Sequence, residues 1–158
     1  MSDNGKKVPL TQDAFDRLTE ELAHLEGDAR TKVIEEIATA RAHGDLSENA
    51  EYHAAKDQQG MQEARIRQIR EMLENHEIIH SVDDGVVRPG MLVKITIAGE
   101  EPETYLFGTR EEKGGDHDVL TVESPIGQAI QGHGAGETVS AKQGDRELKV
   151  EIVEVKAP

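Results

Sequence analysis

The run Ala40-Arg41-Ala42-His43-Gly44-Asp45-Leu46-Ser47-Glu48-Asn49-Ala50-Glu51-Tyr52-His53 interrupts two long stretches of helical periodicity, and its reading decides how the first half of the chain folds. Upstream, Leu18, Leu22, Leu25 and Ala29 are followed by Val33, Ile37 and Ala40 in steps of three or four, the spacing that lines one face of a helix. Thr11, ahead of Gln12, Asp13 and Phe15, is the predicted N-cap, and an acid in the first turn suits the helix dipole. Downstream, Tyr52, Ala55, Gln59, Gln62, Ile66, Ile69, Leu73 and His76 keep the same alternation with polar members in the middle, where the second helix is expected to be weakest. Helices over 11–43 and 47–77 are each about 45 to 50 Å long, and so short a connection folds them back antiparallel. The expectation is a thin helical hairpin with an acidic turn at its end.

Near residue 80 the chain changes character. Residues 10–77 hold only Gly27, Gly44 and Gly60 and no proline, whereas 85–158 hold eleven glycines. In that second half Leu92–Ile97, Thr104–Phe107, Val119–Val122, Thr138–Ala141 and Leu148–Val155 read as short strands. Gly99-Glu100-Glu101-Pro102, Lys113-Gly114-Gly115-Asp116 and Gln143-Gly144-Asp145 supply turns between them. Ile126–Ile130, set between Pro125 and Gly132, reads as one short helix on the sheet. The predicted fold class is α+β in two domains: a coiled-coil hairpin over 1–80 and a compact antiparallel-sheet domain over 81–158. Residues 78–90 are expected to connect them.

Composition removes several functions. With 18 Lys+Arg against 32 Asp+Glu the net charge is −14, divided evenly between the halves at −7 each, so bulk attraction to phosphates cannot hold a free-standing nucleic-acid clamp. The absence of cysteine excludes disulfides, thiolate metal sites and thiol nucleophiles, a usage that fits the cytoplasm. The N-terminal Met1-Ser2-Asp3-Asn4-Gly5-Lys6-Lys7 lacks the apolar segment of a signal peptide, and the apolar runs are too short for a membrane span. A cytoplasmic protein with no membrane partner is expected.

Two readings of the turn stand side by side. Gly44 can end the first helix in a left-handed conformation, and Asp45 with Glu48 three residues later has the spacing of a capping box for the second. The same two carboxylates also make half of a Mg²⁺ site, because this cation takes one or two carboxylates and completes its octahedron with water and substrate. A half-site at the end of a probe is useful when another macromolecule supplies the remaining ligands, and phosphodiester hydrolysis is the chemistry such a shared metal serves best. Zinc held by Asp45, Glu48, His43 and His53 is disfavoured, since the spacing lacks the regularity of a dedicated site.

At these residues the sequence resembles the bacterial Gre transcript-cleavage factors, transcription elongation factors of the GreA/GreB type. The resemblance runs from Leu10-Thr11 and the Leu18–Leu25 heptads, through Ala40–Lys56, to Ser124-Pro125-Ile126. It implies a coiled coil inserted into the secondary channel of RNA polymerase and a C-terminal domain of FKBP-like fold docked at the channel mouth. It further implies that the tip acids stabilise a Mg²⁺ shared with the polymerase active site, which then cuts backtracked RNA. Asp45 and Glu48 fall on the family's metal-assisting acids. Arg41 and Lys56 fall where the family carries basic residues facing RNA, although each serves equally as an exposed ion-pair partner. Ser47 is either a donor to RNA or polymerase or a cap of the second helix. Tyr52 can stack on an extruded base, while its place in the helical series favours burial between the helices. Glu123-Ser124-Pro125-Ile126 matches the family's polymerase-docking loop, with Glu in place of the more usual Asp. The partners implied are the RNA polymerase elongation complex and, indirectly, the nascent RNA 3′ end. The factor itself is expected to be a monomer, not an enzyme, with no cofactor held stably alone. Its acidity suits the GreA-like members.

Three other readings compete. A secondary-channel regulator on the same scaffold could inhibit or remodel polymerase without promoting cleavage, but an altered tip is expected of it and Asp45-Leu46-Ser47-Glu48-Asn49 is intact. A peptidyl-prolyl isomerase needs an aromatic-lined pocket, and the second half offers only Tyr105 and Phe107. A coiled-coil scaffold leaves the acidic turn unexplained. Arg65, Arg67 and Arg70 read most simply as the solvated face of the coiled coil, with a weak RNA-facing patch as the alternative.

Overall fold

A computed structural model describes residues 7–45 and 49–158. The chain divides into two compact units: one is Asp16–His76, and the other combines Met1–Phe15 with Glu77–Pro158.

The Asp16–His76 unit is the expected antiparallel pair of helices, with the first one interrupted. It begins as α1 (Gln12–His24), passes through one π-helical turn at Leu25–Ala29 and continues as α2 (Arg30–Arg41). The interruption centres on Gly27, whose φ of −102° and ψ of −106° leave the helical region; glycine is the poorest helix former apart from proline. The single unbroken helix expected over 11–43 is therefore corrected to two helices joined through this turn. The return helix, α3 (Ala50–Glu74), starts three residues later than expected, and its 25 residues make it about 37 Å long.

Burial follows the predicted stripe at Val33, Ile37 and Ala40 of α2 and at Ala55, Ile66 and Ile69 of α3, but near the end of α3 Met72 is buried in place of the expected Leu73, which is only partly covered. Between Ala55 and Ile66 no residue of α3 is fully buried, in keeping with the polar members of the heptad. Here side-chain charge takes over. The Arg30 guanidinium grips Glu63 with Nε–Oε1 and Nη2–Oε2 both at 3.0 Å. Arg65 grips Glu21 at 2.6 and 2.9 Å, and Arg70 reaches Glu26 at 2.6 Å. The first two are forked, the geometry in which a guanidinium matches a carboxylate best, and the third is a single contact. Two of the three arginines read from sequence as a solvated face, Arg65 and Arg70, thus bridge the two arms of the hairpin, while Arg67 and Arg70 are both exposed.

In the other unit, β1 (Val8–Leu10) and β2 (His76–Ile78) form a two-stranded sheet, continued by Ile79 N–H donating to the Leu10 carbonyl at 2.9 Å. The remaining strands make a five-stranded sheet from β3 (Leu92–Ile97), β4 (Glu103–Gly108), β5 (Val119–Thr121), β6 (Thr138–Gln143) and β7 (Arg146–Lys156), in the order β5-β4-β3-β7-β6. All neighbours are antiparallel except β4 and β5. The α+β class expected from sequence is what the chain adopts.

A bulge shapes the central pair. Lys94 lies opposite Glu154 and Ile95 opposite Ile152, so Val153 is the extra residue on β7. The inserted residue switches the alternation, so Val150, Ile152 and Val155 are buried while Val153 is 41% exposed. The core is aliphatic around Phe107, with Val87, Met91, Val93, Ile95, Ile130, Val150 and Ile152 packed together. One short helix, α4 (Pro125–Ile130), closes it, capped by Ser124, whose Oγ accepts from Gly127 N–H at 3.0 Å.

Candidate functional site at the hairpin turn

Helix α2 ends at Arg41, and Gly44 then takes φ +105°, a left-handed conformation suited to glycine. Asp45 follows on the turn and is exposed. Leu46, Ser47 and Glu48 lie outside the described residues, so the expectations for Ser47 and Glu48 rest on sequence. The cap of α3 is Asn49, whose Oδ1 accepts from Tyr52 N–H at 3.2 Å. This corrects the capping-box reading of Asp45 and Glu48, because the helix begins at Ala50 and both acids precede its cap. The same Asn49 side chain donates from Nδ2 to the Ala40 carbonyl at 2.7 Å. Asn49 stood in the quoted run without a role; the signal that marks it is an N-cap residue type directly ahead of Ala50-Glu51, with the acid in the first turn.

His43 Nδ1 lies 3.5 Å from Glu51 Oε2, joining the end of α2 to the first turn of α3. Arg41 is exposed, its guanidinium 5.9 Å from the centre of the Tyr52 ring. Tyr52 packs on Val33, Ile37 and Ala55, which favours the burial reading of this residue over base stacking. Lys56 is exposed and donates to Gln59 Oε1 at 3.2 Å, one turn further along α3. Arg41, Asp45 and Lys56 thus all reach solvent near one end of the hairpin.

Among the described residues no three histidine, aspartate or glutamate side chains converge on a metal-sized space. A hard oxygen donor such as Asp45 suits Mg²⁺, but one carboxylate fills only one coordination position, so a cation bound there takes its other ligands from elsewhere.

The second candidate surface is the loop before α4. Glu123 and Pro125 are exposed, and Ile126 is partly buried against the core. Ser124 is committed locally: besides capping Gly127, its hydroxyl donates to the Thr121 carbonyl at 2.7 Å. Gly127 completes the wrap, since a Cβ there would stand 2.0 Å from the Thr121 carbonyl oxygen. In the same unit Phe107 is fully buried in the core. Tyr105 donates to Glu103 Oε2 at 2.6 Å, and this hydrogen bond together with burial raises its phenol to about 12. These two rings do not line an isomerase pocket.

Family models match both halves: the N-terminal domain of transcription elongation factors GreA/GreB over residues 8–78 and the C-terminal GreA/GreB domain over 82–157. The chain belongs to the GreA/GreB family. Its relatives include Transcription elongation factor GreA of Streptomyces coelicolor, 44% identical over 131 residues, covering 81% of this chain and 79% of the relative. GreA of Staphylococcus epidermidis is 38% identical over 157 residues, covering 98% and 99%. Among solved structures, GreA factor homolog 1 of Thermus thermophilus aligns over 96% of this chain and all of its own, with 20% identity and a TM-score of 0.44. This GreA-like chain is a transcription elongation factor of the Gre family, and no helix among its described residues is long and apolar enough to cross a membrane.

Proposed function

We propose that this GreA-like factor enters the secondary channel of bacterial RNA polymerase with its helical hairpin and stimulates the polymerase's own Mg²⁺-dependent cleavage of backtracked RNA. The observation that carries the reading is the exposed Asp45 on the turn between two antiparallel helices, within a chain whose two halves both match Gre-family models.

Asp45 and Glu48 offer additional carboxylate oxygens to the shared cation, and Asp45 is the first ligand. Arg41 and Lys56 face the phosphates of the extruded RNA, offsetting the repulsion that an acidic turn would otherwise exert. Glu123, Ser124, Pro125 and Ile126 form the docking loop, with Glu123 meeting a basic surface on the polymerase. The shared cation, when bound, lowers the pKa of a water and offsets charge that develops on the phosphodiester. The factor acts as a monomer in the cytoplasm and hydrolyses nothing alone.

The test is a stalled-complex cleavage assay on a backtracked transcript. Unmodified protein is expected to accelerate release of the RNA 3′ fragment, whereas the factor with RNA and Mg²⁺ but no polymerase releases none. Slower cleavage on adding the protein would instead support an inhibitory channel regulator.

A further inference from the structure

A helix leaves unpaired carbonyls at its C-terminus and unpaired N–H groups at its N-terminus. At the turn, one side chain answers both. Asn49 Oδ1 accepts from Tyr52 N–H in the first turn of α3, while Asn49 Nδ2 donates to the carbonyl of Ala40 in the last turn of α2. Ala40 is 2% exposed, so water has little access to the residue that presents this carbonyl. Its oxygen otherwise accepts from His43 N–H at 3.2 Å, a longer bond than the 2.7 Å made by Asn49. Among short side chains an amide alone carries a donor and an acceptor on one rigid plane. Serine or aspartate caps α3 as well as asparagine does, yet neither supplies an N–H to Ala40.

We propose that Asn49 is a positioning residue for transcript cleavage. By clamping the end of α2 to the start of α3, it fixes the helix ends beside which Asp45 is presented. The inference rests on the function proposed above and adds to it a residue that touches neither metal nor RNA. Its logic is geometric: a ligand that completes another molecule's coordination shell must be held to within a fraction of an ångström, and displacement by about 1 Å costs up to about a hundredfold in rate.

The test compares unmodified protein, Asn49→Ser and Asn49→Asp in the stalled-complex assay while Mg²⁺ is titrated. Far-UV circular dichroism and the factor concentration giving half-maximal polymerase binding are measured beside it. Both variants keep the cap, so helix content and half-saturation are expected to stay within about twofold of the unmodified protein. The Mg²⁺ concentration for half-maximal cleavage is expected to rise about fivefold or more, with a lower rate below saturation. A purely structural cap would leave that Mg²⁺ dependence unmoved. A folded variant of either kind that cleaves with unchanged rate and Mg²⁺ dependence overturns the inference alone. Loss of helix in both would make Asn49 a stability element and also overturn it. Absence of stimulation by the unmodified protein would overturn the functional reading, and this inference with it.

Discussion

Thr11 and Glu112 stand 101 residues apart in sequence and are joined by two hydrogen bonds. Thr11 N–H donates to Glu112 Oε2 at 3.0 Å and Thr11 Oγ1 donates to Oε1 at 2.5 Å, while the same Oγ1 accepts from Ala14 N–H at 3.1 Å. Glu112 is 1% exposed. The residue that caps α1 is thereby tied to the turn that follows β4, which explains why the first fifteen residues group with the C-terminal unit.

Removing the carboxylate leaves two donors of Thr11 unmatched in a place that water barely reaches. Glu112→Ala is expected to lower stability by about 2 to 4 kcal/mol, measured by urea unfolding. In a double-mutant cycle with Thr11→Ala the coupling should be about 1 kcal/mol or more. Additive losses would show that the two side chains do not work together.

Gly127 has no room for a side chain. Its Cβ position lies 2.0 Å from the Thr121 carbonyl oxygen and 2.9 Å from Ser124 Oγ, so Gly127→Ala must push backbone against backbone. A loss of about 3 kcal/mol is expected, read as a lower thermal midpoint for the C-terminal unit. An unchanged midpoint would mean that the Thr121–Gly127 wrap is looser than described.

The Arg65 guanidinium holds Glu21 below the ordinary glutamate value of 4.5, against the opposing effect of burial. Because the folded value is depressed, this contribution to stability is fully present above about pH 4.5 and is lost as pH falls through the folded value. Acid titration of helix content should therefore show a loss below pH 4.5 that is smaller in Arg65→Gln. An identical pH profile in the variant would remove the pair from the account of hairpin stability.

Glu123 and Ser124 separate docking from folding. Ser124→Ala removes the cap of α4 and is expected to cost about 1 kcal/mol of stability, whereas exposed Glu123→Lys should leave unfolding within about 0.5 kcal/mol. On the proposed function, the Glu123→Lys variant binds polymerase more weakly, and increasingly so at low ionic strength, where charge repulsion is least screened. Unaltered binding in a salt series would take Glu123 out of the docking surface.

Much of this was legible in the chain because it is local. The stripe from Val33 to Ala40, the cap at Thr11, the strand at Leu92–Ile97 and the short helix after Ser124 depend on neighbours within a few residues. The kink at Gly27 was not legible: the apolar steps run through it unbroken, and one glycine is compatible with a continuous helix. Strands β1 and β2 have three residues each, too few for alternation to register. The roles of Glu112, Arg65 and Arg70 depend on partners 44 to 101 residues away, and no periodicity points to them. At the turn, residue types alone could not choose among Asp45, Ser47 and Asn49 as caps, because all three are good ones.

The most direct test of the account is the Mg²⁺ dependence of transcript cleavage with Asp45→Asn, whose amide keeps the shape and removes the charge. This variant is expected to bind the stalled polymerase complex like the unmodified factor, while cleavage at low Mg²⁺ falls to the rate of polymerase alone. Cleavage by Asp45→Asn at the unmodified rate and the same low Mg²⁺ would contradict it.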